Sequence, residues 1–171
     1  MKREKSLVLF YGPNGVGKSS VSRALATRLG GLHLQIDVFS RMQRGRFWHT
    51  RRNNKDKMFL ILGVLDGALK NTSYRQFFVE GAVIFPFMID MLEAWCCGND
   101  VKFIAICLVG KMNDLKIRIK KRKSPKINWN KQLPGIYKKF NHKDAMILNT
   151  SKLSLQGMVR KISQALKGKA S

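Results

Sequence analysis

The chain has 171 residues, of which 44% are hydrophobic and 25% charged, a composition typical of one globular domain. These values exclude a disordered polar chain, and the counts of 14 Gly, 4 Pro and 3 Cys exclude a collagen-like or disulfide-stapled protein. No apolar run approaches the roughly 20 residues that a membrane-spanning helix needs, so we expect no membrane partner. The formal net charge of +23 favours anionic partners, and cysteines outside any metal-ligand spacing favour a reducing, cytoplasmic location.

Short apolar runs alternate along the chain with longer segments of helical periodicity, a pattern typical of a parallel sheet covered by helices. The predicted strands are Ser6–Tyr11, Leu32–Ile36, Gln76–Val79, Val101–Val109 and Ala145–Leu148. The predicted helices are Lys18–Leu29, Val38–Gly45, Asp56–Lys70, Ile84–Trp95, Met112–Lys123, Leu133–His142 and Leu155–Leu166, the last with Ser154 as its cap. We therefore expect one three-layer α/β domain over residues 1–171, with a five-stranded parallel sheet.

The segment between the first predicted strand and helix fits the phosphate-binding pattern G-x-x-x-x-G-K-[ST]. It reads Gly12-Pro13-Asn14-Gly15-Val16-Gly17-Lys18-Ser19. Its glycines let backbone N–H groups curl around phosphate oxygens, and the following helix directs its positive end at the same anion. Lys18 is expected to reach the terminal phosphates and Ser19 to bind Mg²⁺. Together with Ser20, these residues predict a site for ATP and Mg²⁺.

This phosphate loop, placed between a buried strand and a helix, makes the chain similar to the small P-loop kinases. That superfamily includes nucleotide, shikimate, gluconate, chloramphenicol, dephospho-coenzyme A and polynucleotide 5′-hydroxyl kinases. The resemblance extends from Leu7 to Leu166, although the phosphate loop is its one specific motif. It implies the P-loop NTPase fold, a helical basic lid and ATP-dependent phosphoryl transfer.

Asp37 and Arg41 follow the second predicted strand, as an Asp and an Arg do in several hydroxyl-phosphorylating members of this superfamily. The carboxyl ends of parallel strands form the ligand-binding edge of the sheet, so Asp37 should lie beside the phosphate loop. A carboxylate there can accept the proton of an attacking hydroxyl, while Arg41 binds an anionic group of the acceptor. The alternative is that Asp37 only caps the helix predicted to begin at Val38.

Three further segments resemble parts of these kinases. The run that ends in Glu80 resembles a Walker B element, whose acid holds Mg²⁺ or its water shell; a plain strand-end carboxylate is the alternative. Glu80 and Asp37 are thus both candidates for the acid that organises Mg²⁺. Glu80 is also a candidate for contact with the substrate.

Arg118 and Arg122 share one helix face in a segment that resembles the lid, which implies that they neutralise the transferring phosphoryl group. Asn149 and Thr150 resemble the loop beside adenine.

Basic residues concentrate in two stretches. Residues 38–57, the predicted acceptor-binding segment, contain Asp56 as their one acidic residue, and residues 111–143 contain only Asp114. The predicted lid, at about 111–131, lies in the second stretch. A solvated face is the ordinary explanation of such runs, but two concentrated runs favour an anionic acceptor, either a nucleotide or the 5′-hydroxyl end of a nucleic acid.

The sequence therefore predicts an ATP- and Mg²⁺-dependent kinase that transfers the γ-phosphoryl group to a hydroxyl acceptor. A nucleoside monophosphate kinase is the close alternative. That class transfers the phosphoryl group to a phosphate and depends on arginines, and this basic chain contains many arginines. From a different class, an RNA-associated NTPase would need no acceptor, but the guanine-reading pattern N-K-x-D is missing. A basic scaffold with an inert phosphate loop is disfavoured because Lys18 and Ser19 are both intact. The sequence leaves the oligomeric state open.

Overall fold

The structure is a computed structural model that describes residues 4–38, 51–81, 85–121 and 144–168, without the side chains of residues 51–53, 167 and 168. Arg41, Arg122 and the helix predicted at Leu133–His142 lie outside the described residues, as does the helix predicted at Val38–Gly45 beyond its first residue. In the described ranges, no helix is long and apolar enough to span a bilayer.

Strands and helices alternate through the described parts of the chain. The strands are β1 (Ser6–Tyr11), β2 (Leu32–Gln35), β3 (Gln76–Glu80), β4 (Lys102–Val109) and β5 (Met146–Asn149). The main helices are α1 (Lys18–Leu29), α2 (Arg51–Asn71), α3 (Phe87–Gly98), α4 (Met112–Lys121) and α5 (Leu155–Gly168). Residues 36–38 also take helical geometry directly after β2.

The five strands form one parallel sheet in the order β2-β3-β1-β4-β5, which confirms the predicted sheet. β1 lies at its centre, and all six of its residues are buried, as a strand covered by helices on both faces requires. In the register of the sheet, Phe10 near the end of β1 stands beside Glu80 at the end of β3. This register brings the end of β3 next to the segment that follows β1.

Alternate residues of β1 enter two separate cores, one on each face of the sheet. Leu7 and Leu9 pack with apolar residues of α2 and α3, and Val8 packs on the other face with residues of α1, α4 and α5. The chain is therefore built in three layers, as predicted, with α2 and α4 on opposite faces of the sheet.

Several element ends differ from those expected of the sequence. α2 begins at Arg51, five residues before the predicted start. The sequence did not indicate this earlier start because the first two turns of α2 carry no apolar pattern. α3 begins at Phe87, with Pro86 as its N-cap, and runs on to Gly98. The predicted cap of α5 is confirmed: the Gly157 N–H donates to Ser154 Oγ over 3.1 Å.

Candidate active site

The loop between β1 and α1 has a backbone that only glycine adopts readily. Gly12, Gly15 and Gly17 have φ angles of 141°, 79° and 97°. A Cβ atom on Gly12 would stand 2.1 Å from the carbonyl oxygen of Leu108 in β4, and one on Gly15 would stand 2.8 Å from Ile119 Cγ1 in α4. The loop is therefore curled tightly against both the sheet and α4, the conformation that the phosphate-binding pattern predicts.

Lys18, the first residue of α1, folds back over this loop. Its Nζ donates to the carbonyl oxygens of Gly12 and Pro13, over 3.0 and 3.1 Å. The side chain is buried, so a positive charge is held within the loop at the N-terminal end of a helix. The ammonium of Lys18 therefore lies directly against the backbone of the phosphate loop.

Ser19 and Glu80, 61 positions apart in sequence, are in direct contact. The Ser19 hydroxyl donates to Glu80 Oε1 over 2.7 Å, and Glu80 is 2% exposed at the end of β3. The structure therefore brings together the two residues predicted to organise Mg²⁺, and their oxygen atoms suit that hard cation. In the described ranges, no cluster of three or more His, Cys, Asp or Glu side chains could hold a metal ion by itself. A cation at Ser19 and Glu80 would thus complete its shell with water and phosphate oxygens.

Ser22 in α1 and His33 in β2 form a polar contact that no sequence pattern indicates. Ser22 Oγ donates to the carbonyl oxygen of Lys18 over 2.9 Å and lies 3.0 Å from Nε2 of His33 in β2. Because the only proton of Ser22 is used in the first bond, His33 Nε2 is the donor in the second. Burial lowers the pKa of His33, opposed by the nearby Glu80 carboxylate and assisted by Arg23. A neutral His33 therefore fits this position best.

Asp37 lies two residues beyond the end of β2 and is exposed at the ligand-binding edge of the sheet. Its carboxylate acts electrostatically on Lys57 in α2, a side chain only 4% exposed. Burial lowers the pKa of Lys57, and the Asp37 charge raises it in part. Asn54, one turn before Lys57 on the same helix, is also buried. The sequence placed Lys57 in a basic run, and no local pattern distinguishes it from the solvated lysines around it.

Arg118, predicted to be a lid residue, joins α4 to the loop after β5. Its Nη1 donates to Thr150 Oγ1 over 3.0 Å, and its Nη2 donates to the Thr150 carbonyl oxygen over 2.8 Å. Thr150 is buried, and its N–H donates to the Val109 carbonyl oxygen over 2.8 Å. Asn149 Oδ1 accepts the N–H of Ser151 over 2.9 Å, so that side chain shapes the loop. The predicted lid arginine and the predicted adenine loop are therefore neighbours.

The chain was compared in sequence with family models and with curated proteins. The model of the ATPase family associated with various cellular activities (AAA) matches residues 8–85, fewer than half of the 171 residues. No curated protein matches the chain in sequence at a significant level.

Among solved structures, a gluconokinase from Sinorhizobium meliloti is similar with a TM-score of 0.69 and 16% identity, covering 99% of this chain and 100% of that one. Shikimate kinase from Acinetobacter baumannii, solved with shikimate, gives a TM-score of 0.65 and 16% identity over 99% and 96%. The Deinococcus radiodurans tunicamycin resistance protein gives 0.70 and 15% over 95% and 96%. The chain has the P-loop kinase fold.

Within the P-loop kinase fold of this chain, the described site has two ends. Lys18, Ser19 and Glu80 are joined to the phosphate loop or to each other by hydrogen bonds. Asp37 stands beyond β2 with the charge of Lys57 close by. Of the predicted site residues, Arg41 and Arg122 are outside the described ranges, and Ser20 is exposed on the first turn of α1.

Proposed function

We propose that this protein is an ATP- and Mg²⁺-dependent phosphotransferase that transfers the γ-phosphoryl group to a hydroxyl acceptor bearing negative charge. The observation that carries the proposal is the 2.7 Å contact between Ser19 and Glu80 beside the buried Lys18. The fold supports it, because the similar solved structures include a gluconokinase and a shikimate kinase.

At the phosphate end, the loop of residues 12–19 would bind the triphosphate of ATP through its backbone N–H groups and Lys18. To reach phosphate oxygens, Lys18 exchanges its bonds to the Gly12 and Pro13 carbonyl oxygens for new ones. Mg²⁺, when held at Ser19 and Glu80, would neutralise charge on the phosphates. Positioning and electrostatics are the principal means of catalysis for this class of reaction, and no covalent nucleophile is needed.

At the acceptor end, Asp37 would accept the proton of the attacking hydroxyl. The acceptor oxygen forms a bond to the γ-phosphorus as the bond to the β–γ bridging oxygen breaks, and ADP leaves. The Asp37 carboxylate is exposed at the edge of the sheet, so it is accessible to an acceptor. Asp37 is the predicted general base, and Arg41 remains the predicted contact to an anionic group of the acceptor.

Lys57 supports an acceptor with negative charge. Burial disfavours the charged ammonium of Lys57, and the Asp37 carboxylate opposes that effect. An anionic group of the acceptor would favour the ammonium further. The excess of basic residues in positions 38–57 acts in the same direction. A nucleotide, or the 5′-hydroxyl end of a nucleic acid, carries the required charge.

At the base end, Arg118 contacts the loop at Asn149 and Thr150 in the described structure. Its two hydrogen bonds to Thr150 hold the guanidinium beside the segment assigned to adenine. For Arg118 to stabilise the transferring phosphoryl group, these bonds must be exchanged for bonds to phosphate oxygens. Arg122, four positions further, is the other predicted lid arginine and is proposed to share that role.

The test is a screen of acceptors with ATP labelled at the γ-phosphate: nucleosides, nucleotides, sugars and 5′-hydroxyl oligonucleotides. We expect label on the hydroxyl of an anionic acceptor, with loss of transfer in the Asp37→Asn variant. Transfer to a phosphate that does not depend on Asp37 would indicate the nucleoside monophosphate kinase. Release of phosphate without any acceptor would indicate the NTPase. Either of these two results contradicts the proposal.

Salt distinguishes the two anionic acceptors. Binding of an oligonucleotide weakens steeply with salt because counterions are released from its backbone. A mononucleotide, with fewer charges, should lose much less affinity over the same range. An oligonucleotide whose affinity is insensitive to salt would exclude the nucleic-acid acceptor.

A further inference from the structure

The outward side of α2 carries an apolar face that the described residues leave exposed. Phe59, Leu60 and Val64 are 63%, 48% and 39% exposed. The opposite side of the same helix is fully buried through Met58, Ile61 and Leu65. α2 is therefore apolar on two sides, whereas a helix that only covers one sheet needs one apolar stripe.

Two glycines flatten the centre of this face. Glycine in a helix interior destabilises the helix relative to alanine, so we expect a contact at Gly63 and Gly67 that compensates for this loss of stability. Among the described residues, a Cβ atom on either glycine would meet no other atom within 4 Å, so neither glycine makes room for a neighbouring group of that part of the chain. The open space above them can receive a side chain or backbone from another molecule.

The charges at the two ends of the face are complementary when α2 meets itself. Asp56, Leu60, Gly63, Gly67 and Lys70 follow one another at steps of four, three, four and three residues, the spacing of a seam between paired helices. In an antiparallel pair with a two-fold axis at Gly63, Asp56 of each helix lies opposite Lys70 of the other. Two oppositely charged contacts therefore flank the axis, one at each end.

The same symmetry also matches shape. In this arrangement Phe59 would lie opposite Gly67, so the exposed ring of one helix would enter the open space above a glycine of the other. A two-fold contact requires a surface that is complementary to itself, and the pairs Asp56–Lys70 and Phe59–Gly67 meet that requirement in charge and in shape. α4, which is rich in basic residues, covers the opposite face of the sheet and is kept away from this contact.

We propose that α2 is a dimerisation helix, whose face of Asp56, Phe59, Leu60, Gly63, Val64, Gly67 and Lys70 docks antiparallel against the same face of a second copy of this chain. Asp56 lies at the end of the predicted acceptor-binding segment, but the face contains none of the residues assigned a role in binding or catalysis, so the dimer can form whatever the activity of the chain.

Charge exchange at the ends of the face tests the proposed register. Sedimentation velocity of the full chain, over a range of concentrations at physiological salt, should show a monomer–dimer equilibrium. Asp56→Lys places two positive charges opposite each other at both ends of the contact and should raise the dissociation constant by about tenfold. Lys70→Asp should do the same through two opposed acids. The double variant D56K/K70D restores opposite charges and should recover most of the lost affinity.

Cross-linking tests the position of the axis. In a Cys97→Ser background, which removes the exposed cysteine, Gly63→Cys places two thiols at the axis and should form a disulfide-linked dimer on mild oxidation. Thr27→Cys in the same background is the matched control, because α1 lies on the other side of the sheet and should not cross-link.

Three results overturn the proposal. The first is a wild-type chain that stays monomeric at every concentration, which would mean that another segment or another protein covers the face. The second is a dimer that neither single charge variant weakens, which would mean that it forms through a different surface. The third is equal cross-linking at positions 63 and 27. Because all variants lie on exposed positions, circular dichroism serves to check that they fold.

Discussion

The two ends of the candidate site are held in different ways. At the phosphate end, the polar groups of Lys18, Ser19 and Glu80 are bonded to their neighbours over 2.7 to 3.1 Å. At the acceptor end, Asp37 is exposed, and its effect on the buried Lys57 is electrostatic. Hydrogen bonds within the phosphate loop and from α1 to the end of β3 thus hold the first end, while charge acting between separate elements shapes the second. Variants at one end should therefore leave the other end nearly unaffected.

The largest expected effect is at Asp37. Asp37→Asn removes the proton acceptor and should lower kcat by about 10²- to 10⁴-fold. The KM for ATP should stay unchanged, because the phosphate end is built from other residues. Asp90→Asn, an exposed acid on α3, is the control and should retain full activity. Steady-state kinetics with the acceptor identified in the screen measures both constants; unchanged turnover would remove Asp37 from its role as base.

The next effect concerns the acid of the phosphate end. Glu80→Gln keeps an oxygen that can accept the Ser19 hydroxyl but removes the negative charge. The Mg²⁺ concentration for half-maximal activity should rise by about 10- to 100-fold, with little change in the apparent affinity for the acceptor. Glu93→Gln on α3 is the matched control. If instead acceptor affinity fell and Mg²⁺ dependence did not, Glu80 would belong to the acceptor end.

Lys57 gives the acceptor end a distinctive pH dependence. Since burial lowers the pKa of Lys57, its ammonium should be lost, and an anionic acceptor should bind more weakly, at a pH below the ordinary value of 10.5. Lys57→Met should weaken acceptor binding by about tenfold at neutral pH through loss of one nearby positive charge.

Calorimetric titration of the acceptor at several pH values measures this dependence. Asp37→Asn should move the alkaline loss of binding to lower pH, because the Asp37 carboxylate raises the pKa of Lys57. Lys57→Arg should abolish that loss, since a guanidinium remains charged throughout. An alkaline loss that persists unchanged in Lys57→Arg would show that another group is titrating.

The smallest effect is on stability at the phosphate end. The pKa of His33 is lowered from 6.5 in the folded chain, so the unfolded chain binds more protons just below that pH. The free energy of unfolding should therefore be highest above about pH 6.5 and fall as the pH drops from there through the folded-state pKa. Urea unfolding of the wild type and of His33→Gln measures it. The variant should lack this part of the pH dependence, and identical curves for both would rule out His33 as its source.

The part of the structure that follows from local pattern was predicted from the sequence. β1 and α1 have the predicted bounds, because a continuous apolar run precedes a loop whose glycines and lysine have one structural meaning. The pairing of β3 with β1 could not be predicted from local pattern. The sheet places Glu80 beside Phe10 through a register that no local segment determines. Glu80 was nevertheless a candidate because it ends an apolar strand.

Other site residues could not be found in this way. Lys57 is buried by packing of α2 on the sheet, and a lysine in a basic run carries no sign of that burial. His33 meets Ser22 only because β2 lies beside α1, and neither residue belongs to a motif. The bond between Arg118 and Thr150 likewise joins segments 32 positions apart. These contacts are products of tertiary structure, and local sequence patterns do not encode them.

α4 touches both regions that we propose for ATP binding, since Ile119 packs against Gly15 and the neighbouring Arg118 holds Thr150. While Arg118 keeps its bonds to Thr150, as it can when no phosphoryl group is being transferred, occupying the triphosphate region should therefore stabilise the adenosine region through α4, and the reverse should hold with equal free energy. Adenosine and inorganic tripolyphosphate, added as separate fragments, should then each bind better in the presence of the other.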